Sequence, residues 1–230
     1  MEGVARYPDF LTKEQLGEMK KDPLVTFGNH SYSHHRLARK KGDETVKDYL
    51  KAFTDDLSKA ENRFSKLIGH KPYLYSYPYG EYNSLMMKHL KDKHYIGAFT
   101  QDAGSVGHST DPFMIPRIPL VGGWAEMKKF REFLETEPIS VLNTTPAPGV
   151  LPSEEIDSIV IQLKDIDLYR NLGIYISEKG WLAVEVDNPS GRVTLKGPIH
   201  LTRKVNRIGL AGVNRRSGRR ASFFYMVILP

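Results

Sequence analysis

Between Asp43 and Leu67 the apolar residues Val46, Tyr49, Leu50, Phe53, Leu57, Ala60, Phe64 and Leu67 recur at intervals of three and four. That spacing gathers them on one helical face and predicts a long amphipathic helix lying on a core. Its charged residues form the wet face. Gly69 ends the pattern, and residues 73–77 read as a strand closed by Pro78. Asn83 or Ser84 then caps a helix through Met87 and Leu90, and residues 95–100 read as the next strand. Upstream, Thr12 and Gln15 make a capping-box pattern at the start of a short helix whose buried face would hold Leu16 and Met19. Residues 24–27 read as a buried strand. Strand and helix alternating at this rhythm indicate parallel βα units, whose ligand sites lie on loops at the carboxyl ends of the strands.

Two motifs occupy such loops. Gly28-Asn29-His30-Ser31-Tyr32-Ser33-His34-His35 places two imidazoles four residues apart after the first apolar run. On one helical turn they would share a face and reach one ion at roughly 2.0–2.1 Å. Taken alone, the pair also reads as solvated or capping histidines in a basic loop. The second motif, Tyr75-Ser76-Tyr77-Pro78-Tyr79-Gly80-Glu81-Tyr82-Asn83, is a rigid Pro-aromatic-Gly turn after the second strand. Residues 101–108 and the segment beginning at Arg117 should face the same way, and a helix over 124–134 completes this half.

Residues 136–138 and 143–149 are rich in Thr and Pro and mark a change of texture. Short strands follow at 159–163, 173–176, 181–186, 193–195, 206–210 and 222–228, separated by Gly and Pro turns. This pattern predicts a small antiparallel sandwich. The expected fold is therefore α/β, with one domain over 1–137 and an all-β, sandwich-like accessory domain over 138–230.

Charge divides along the same line. Residues 188–230 hold nine cations and no Asp or Glu, leaving 24 cations against 27 anions before them. That region carries no nucleic-acid motif, so solvated loops or an anionic-glycan surface are expected and a nucleic-acid partner is not. With no cysteine, any metal here would be held by His and carboxylate. Residues 1–8 lack the basic and apolar regions of a signal peptide, and no apolar run approaches the roughly 20 residues of a membrane span.

The two motifs in this order, H-S-x-S-H then Y-P-Y-G-E-Y-N, resemble the polysaccharide deacetylase family, the NodB-homology group or carbohydrate esterase family four, over about residues 1–135. The likeness is greatest to exported poly-N-acetylglucosamine deacetylases, in which Ser stands at the place of Ser76. The resemblance implies a distorted (β/α) barrel and removal of acetyl groups from an N-acetylated polysaccharide by a metal-activated water. Metal-ligand roles would fall to His30 and His34, with zinc the expected ion; His35 is an alternative to His34 if the loop is not helical. Tyr79 would stabilise the oxyanion through its backbone amide, and Arg117 resembles a basic residue on a late loop of the family. Tyr77, Pro78, Tyr82 and Asp102 are expected to face substrate, the tyrosines through flat apolar rings. A non-catalytic carbohydrate-binding module on a degenerate scaffold is the alternative.

Two departures qualify this. The family's Thr-Phe-Asp-Asp motif, source of the base and third ligand, is absent, and neither Asp9 nor Asp22 has the right neighbours. The late Leu-x-His that supplies the acid is not evident either; His200 sits in the wrong domain context. The chain is therefore expected to be a partial barrel truncated at its N-terminus, with impaired activity and with sheet edges that favour homo-oligomers. Family members of this kind act in the periplasm, outside the cell or at its envelope.

Overall fold

The computed structural model describes residues 11–40 and 42–230; Asp9 and the segment 1–8 lie outside them. Helix α1 (Lys13–Met19) begins at a complete capping box. The Gln15 amide donates to Thr12 Oγ1 and the Thr12 amide donates to Gln15 Oε1, at 3.2 and 2.8 Å. Leu16 and Met19 are only half-buried, so this helix rests on the surface. Helix α2 (Val46–Ile68) is the periodic segment. Thr45 caps its start, Gly69 at φ +101° ends it, and Tyr49, Phe53, Leu57 and Ala60 form its buried face.

Strand β1 (Leu74–Ser76) pairs in parallel with β2 (Gly97–Phe99), and α3 (Ser84–Asp92) connects them. Parallel bridges extend this pair on both sides, Asn29 to Tyr75 and Phe99 to Ile115. Four short parallel segments thus deliver their following loops to one edge. The strand expected over 24–27 does not form. Among the described residues no strand pairs with this stretch, and Leu24 is 91% exposed. Among the described residues the segments do not close into a barrel. A short helix, α4 (Met127–Glu135), ends this half.

The remainder is two sheets. One has the order β4-β6-β10-β9, from Val141–Thr145, Glu155–Leu163, Arg192–His200 and Glu185–Asp187. The other runs β3-β12-β11-β7-β8, from Glu137–Pro138, Arg220–Ile228, Val205–Asn214, Tyr169–Ile176 and Gly180–Leu182, with β5 (Gly149–Val150) also on β12. Ile159 and Ile161 of β6 meet Ile174, Ile208 and Tyr225 of the second sheet in one apolar core. Alternating burial along β6 follows from the two-residue period of a strand. Residues 181–186, expected as one strand, divide instead into β8 and β9, which belong to different sheets. Strand β4 falls where a Thr- and Pro-rich linker was expected; as an edge strand it tolerates the prolines that follow it.

The two halves share β12. Tyr225 and Val227 point into the core between the sheets, whereas Met226 and Ile228 pack with Tyr75, Tyr77 and Tyr82 in the core beneath α2 and α3. A buried polar knot reinforces the junction. The Tyr82 hydroxyl donates to Asp102 Oδ2 at 2.8 Å and accepts the Met226 amide at 3.3 Å, while Arg207 Nε donates to Asp102 Oδ1 at 3.1 Å. Removing the hydroxyl by Tyr82→Phe should leave a buried amide and carboxylate short of a partner, lowering stability by about 1–3 kcal/mol. Urea denaturation monitored by circular dichroism would measure the loss.

Candidate functional site

The His30–His34 segment is a loop held in two left-handed turns. Ser31 and His34 lie at φ +65° and +54°, so the helical turn expected from the i, i+4 spacing is absent. Side-chain acceptors supply what a helix would have supplied. Asn29 Oδ1 takes the Ser31 amide at 3.0 Å, and Ser31 Oγ takes the His34 amide at 2.8 Å. Asp56, buried on the inner face of α2, accepts the Tyr32 and Ser33 amides at 3.0 and 2.9 Å. Asn29 is itself buried and donates from Nδ2 to the Tyr95 hydroxyl at 2.9 Å.

This loop turns the two imidazoles toward each other, with Nε2 to Nε2 at 3.1 Å. His30 Nδ1 lies 2.7 Å from the Ser76 carbonyl. A carbonyl only accepts, so Nδ1 carries the proton and the neutral ring keeps its lone pair on Nε2. Burial pushes the His30 pKa below its ordinary value against the pull of the Ser76 carbonyl, and the nearby charges of His34 and Arg117 push it down further. Near neutral pH the ring is therefore uncharged. The separation suits two nitrogens on one ion, since a pair of bonds of roughly 2.1 Å reaches across as much as about 4.2 Å. Among the described residues no third His, Cys, Asp or Glu stands with the pair.

The second motif meets the first. Pro78–Gly80 forms a single tight turn in which Tyr79 and Gly80 both take positive φ, +58° and +68°. Gly80 has no alternative, because a Cβ there would lie 2.5 Å from the Gln101 side chain. The Tyr79 ring, 40% exposed, packs 4.9 Å from the His34 ring, and the Arg36 guanidinium lies 4.0 Å from the centre of its face.

His30, His34 and Tyr79 line one cavity of about 530 Å³ with Arg36, Arg39, Glu81, Gln101, Lys204 and Arg207. Glu81 is 3% exposed and shared: Arg36 Nη1 donates to it, and Arg39 donates at 2.8 and 2.6 Å. Sequence reasoning missed these five charged residues. Glu81 stood within the quoted turn motif and read only as part of it; Lys204 and Arg207 arrive from β11 and its approach, more than 120 residues after Glu81.

Other expected site residues lie elsewhere. Tyr77 and Tyr82 have no exposed surface, and their hydroxyls donate to the Phe113 carbonyl and to Asp102. Pro78 is buried beneath the turn, and Asp102 is 2% exposed and bonded to Tyr82 and Arg207. All four are enclosed by packing rather than presented to a ligand, which corrects the expectation that they face substrate. Burial raises the Asp102 pKa even against Arg207. Arg117 is exposed and anchored beside the site, its Nε donating to the Thr100 carbonyl at 2.7 Å. His35 and His108 are exposed loop residues, and His200 lies exposed on β10.

Residues 4–97 match the family model described as polysaccharide deacetylase. Two curated relatives are poly-beta-1,6-N-acetyl-D-glucosamine N-deacetylases. That of Staphylococcus aureus is 26% identical and that of Staphylococcus epidermidis 27%, each over 110 residues, covering 48% of this chain and 38% of the relative. The chain thus spans well under half the length of the relatives it matches. A solved de-N-acetylase from Aggregatibacter actinomycetemcomitans is 22% identical with a TM-score of 0.45, covering 54% of this chain and 53% of that one. Residues 4–97 are thus similar to the polysaccharide deacetylase family. Because two loop amides depend on the Asp56 carboxylate, Asp56→Ala should destabilise the fold by about 1–3 kcal/mol. A urea titration would register it, and histidine NMR signals should show the two rings uncoupled.

Proposed function

We propose, from the polysaccharide-deacetylase character of residues 4–97, that this chain takes part in hydrolytic removal of N-acetyl groups from the amino sugars of a polysaccharide. The observation that carries the reading is the meeting of the His30 and His34 Nε2 atoms in a cavity walled by the Tyr79 turn. His30 and His34 would hold a divalent cation, zinc being the ion that imidazole nitrogens suit best. Such an ion, when bound, lowers the pKa of a water and polarises a carbonyl.

The chain's own residues do the remaining work. The Ser76 carbonyl fixes the His30 tautomer, so the neutral ring presents a lone pair rather than a proton at Nε2. Burial, with a smaller contribution from the positive charge of Arg117, keeps that ring unprotonated. To the Tyr79 amide, held in a strained left-handed turn, we assign the developing oxyanion of the acetamide. The exposed Tyr79 ring, stiffened by His34 and Arg36, would wall the cavity beside a bound sugar. Residues 1–137 would carry this chemistry and residues 138–230 would serve as an accessory domain that closes the cavity with Lys204 and Arg207. Action outside the cytoplasm follows from the same reading; no helix among the described residues is long and apolar enough to cross a membrane.

Acetate release from a β-1,6-linked N-acetylglucosamine oligomer, measured with zinc present, tests the assignment. Replacing His34 by Ala should cut any measured turnover at least about 100-fold and weaken zinc binding by calorimetry by a similar factor. Full turnover in that variant, or zinc affinity indifferent to both histidines, would refute it.

A further inference from the structure

Trp124 lines a cleft away from the imidazoles, and Trp181 lies just beyond its rim, against the Phe224 and Arg220 that line it. Trp124 is 45% exposed and Trp181 48% exposed. The cleft, about 550 Å³, lies between α4 and β12, with Trp124 and Phe133 on one wall and Phe224 and Arg220 on the other. The Trp124 and Phe133 rings are 5.4 Å apart. Phe224 continues the surface outward. Its ring lies 6.1 Å from Tyr175 and 6.5 Å from Trp181, and those two are 5.2 Å apart.

Strand register explains this cluster. Tyr175 stands opposite Trp181 and Gly209, and Gly209 stands opposite Phe224, so all four occupy one row across β8, β7, β11 and β12. A Cβ on Gly209 would come within 2.1 Å of the Phe224 ring. The glycine therefore leaves the space in which that ring folds over β11 toward Tyr175. Arg220 reaches back over Trp181, its guanidinium carbon 5.7 Å from the ring centre. Two exposed tryptophans set beside half-buried aromatic rings form an apolar patch of the kind that marks a ligand site.

We infer that this cleft is a glycan-binding subsite, separate from the His cavity, that takes an uncharged stretch of N-acetylated polysaccharide; the inference rests on the substrate class proposed above. The chemistry of the lining selects the ligand. Aromatic rings offer flat apolar faces to the C–H side of a pyranose, and the charged groups between them donate and accept for its hydroxyls. Those charges nearly cancel, three cations against two carboxylates, and Lys129 is already paired with Glu132 at 2.6 Å. A polyanion would find little net attraction here, although the surrounding region is strongly basic. Position supports the same ligand. Gln101 lines the His cavity and Ala103 to Ser105 line the cleft, so one segment of the chain contributes to both. On this reading a single polysaccharide strand would run from one to the other.

Titration of the full chain with a β-1,6-linked N-acetylglucosamine pentamer, followed by tryptophan fluorescence and calorimetry, tests the subsite. A saturable fluorescence change is expected. Trp124→Ala and Trp181→Ala should each weaken pentamer binding between about threefold and tenfold, with Trp181→Phe intermediate and circular dichroism unchanged. His30→Ala should still bind at this cleft. Acetate release from the disaccharide should be the same in the tryptophan variants as in the parent. Loss of acetate release with pentamer binding intact would sink the deacetylase assignment and leave the subsite standing. The subsite is overturned if the parent gives no saturable signal, or if both tryptophan variants bind as well as the parent. It is equally overturned if light scattering shows a dimer that Trp181→Ala dissolves.

Discussion

The two-residue period of β12 governs the architecture. Because successive side chains of a strand point to opposite faces, one strand can belong to two cores, and β12 does so with Tyr225 and Val227 on one side and Met226 and Ile228 on the other. A slip of one residue would exchange these sets and empty both cores. The Tyr82 hydroxyl, which takes the Met226 amide, and Arg207, which pairs with Asp102, hold the register from the opposite side. This arrangement brings Lys204 and Arg207 to the edge where the parallel segments deliver their loops. The cavity is therefore a product of both halves.

At the cavity, geometry comes from hydrogen bonds rather than from regular structure. The His30–His34 loop is shaped by Asn29, Ser31 and Asp56, three acceptors that occupy four amides no helix or strand uses. A neutral His30 follows from burial together with nearby positive charge, and its orientation follows from one carbonyl. The positive charge of Arg117 that helps keep His30 unprotonated would oppose a bound cation. Glu81, shared between Arg36 and Arg39, offsets part of that opposition.

Local rules made some of this readable in advance. The capping box at Thr12, the apolar face of α2 and the stop at Gly69 depend on neighbours in sequence, and the structure has them where the pattern puts them. The imidazole spacing was legible but its stated basis was not, since the loop reaches the same convergence through left-handed turns. Tyr77 and Tyr82 misled because an aromatic beside a Pro turn looks the same in sequence whether its hydroxyl faces water or a buried carboxylate. Strand β4 was hidden by the Thr and Pro composition that an edge position tolerates. Arg207 at the cavity was out of reach of any local pattern, because strand pairing across the second sheet sets its place.

One consequence of the shared strand concerns the order in which the chain is made. The tyrosine-rich packing beneath α2 and α3 needs Met226 and Ile228, which leave the ribosome after nearly all the residues they cover. An amino-terminal half emerging first cannot complete its interior by itself, contrary to the usual habit of domains that mature as they are translated. Until β12 arrives, the apolar surfaces around Tyr75 and Tyr82 lack the side chains that cover them.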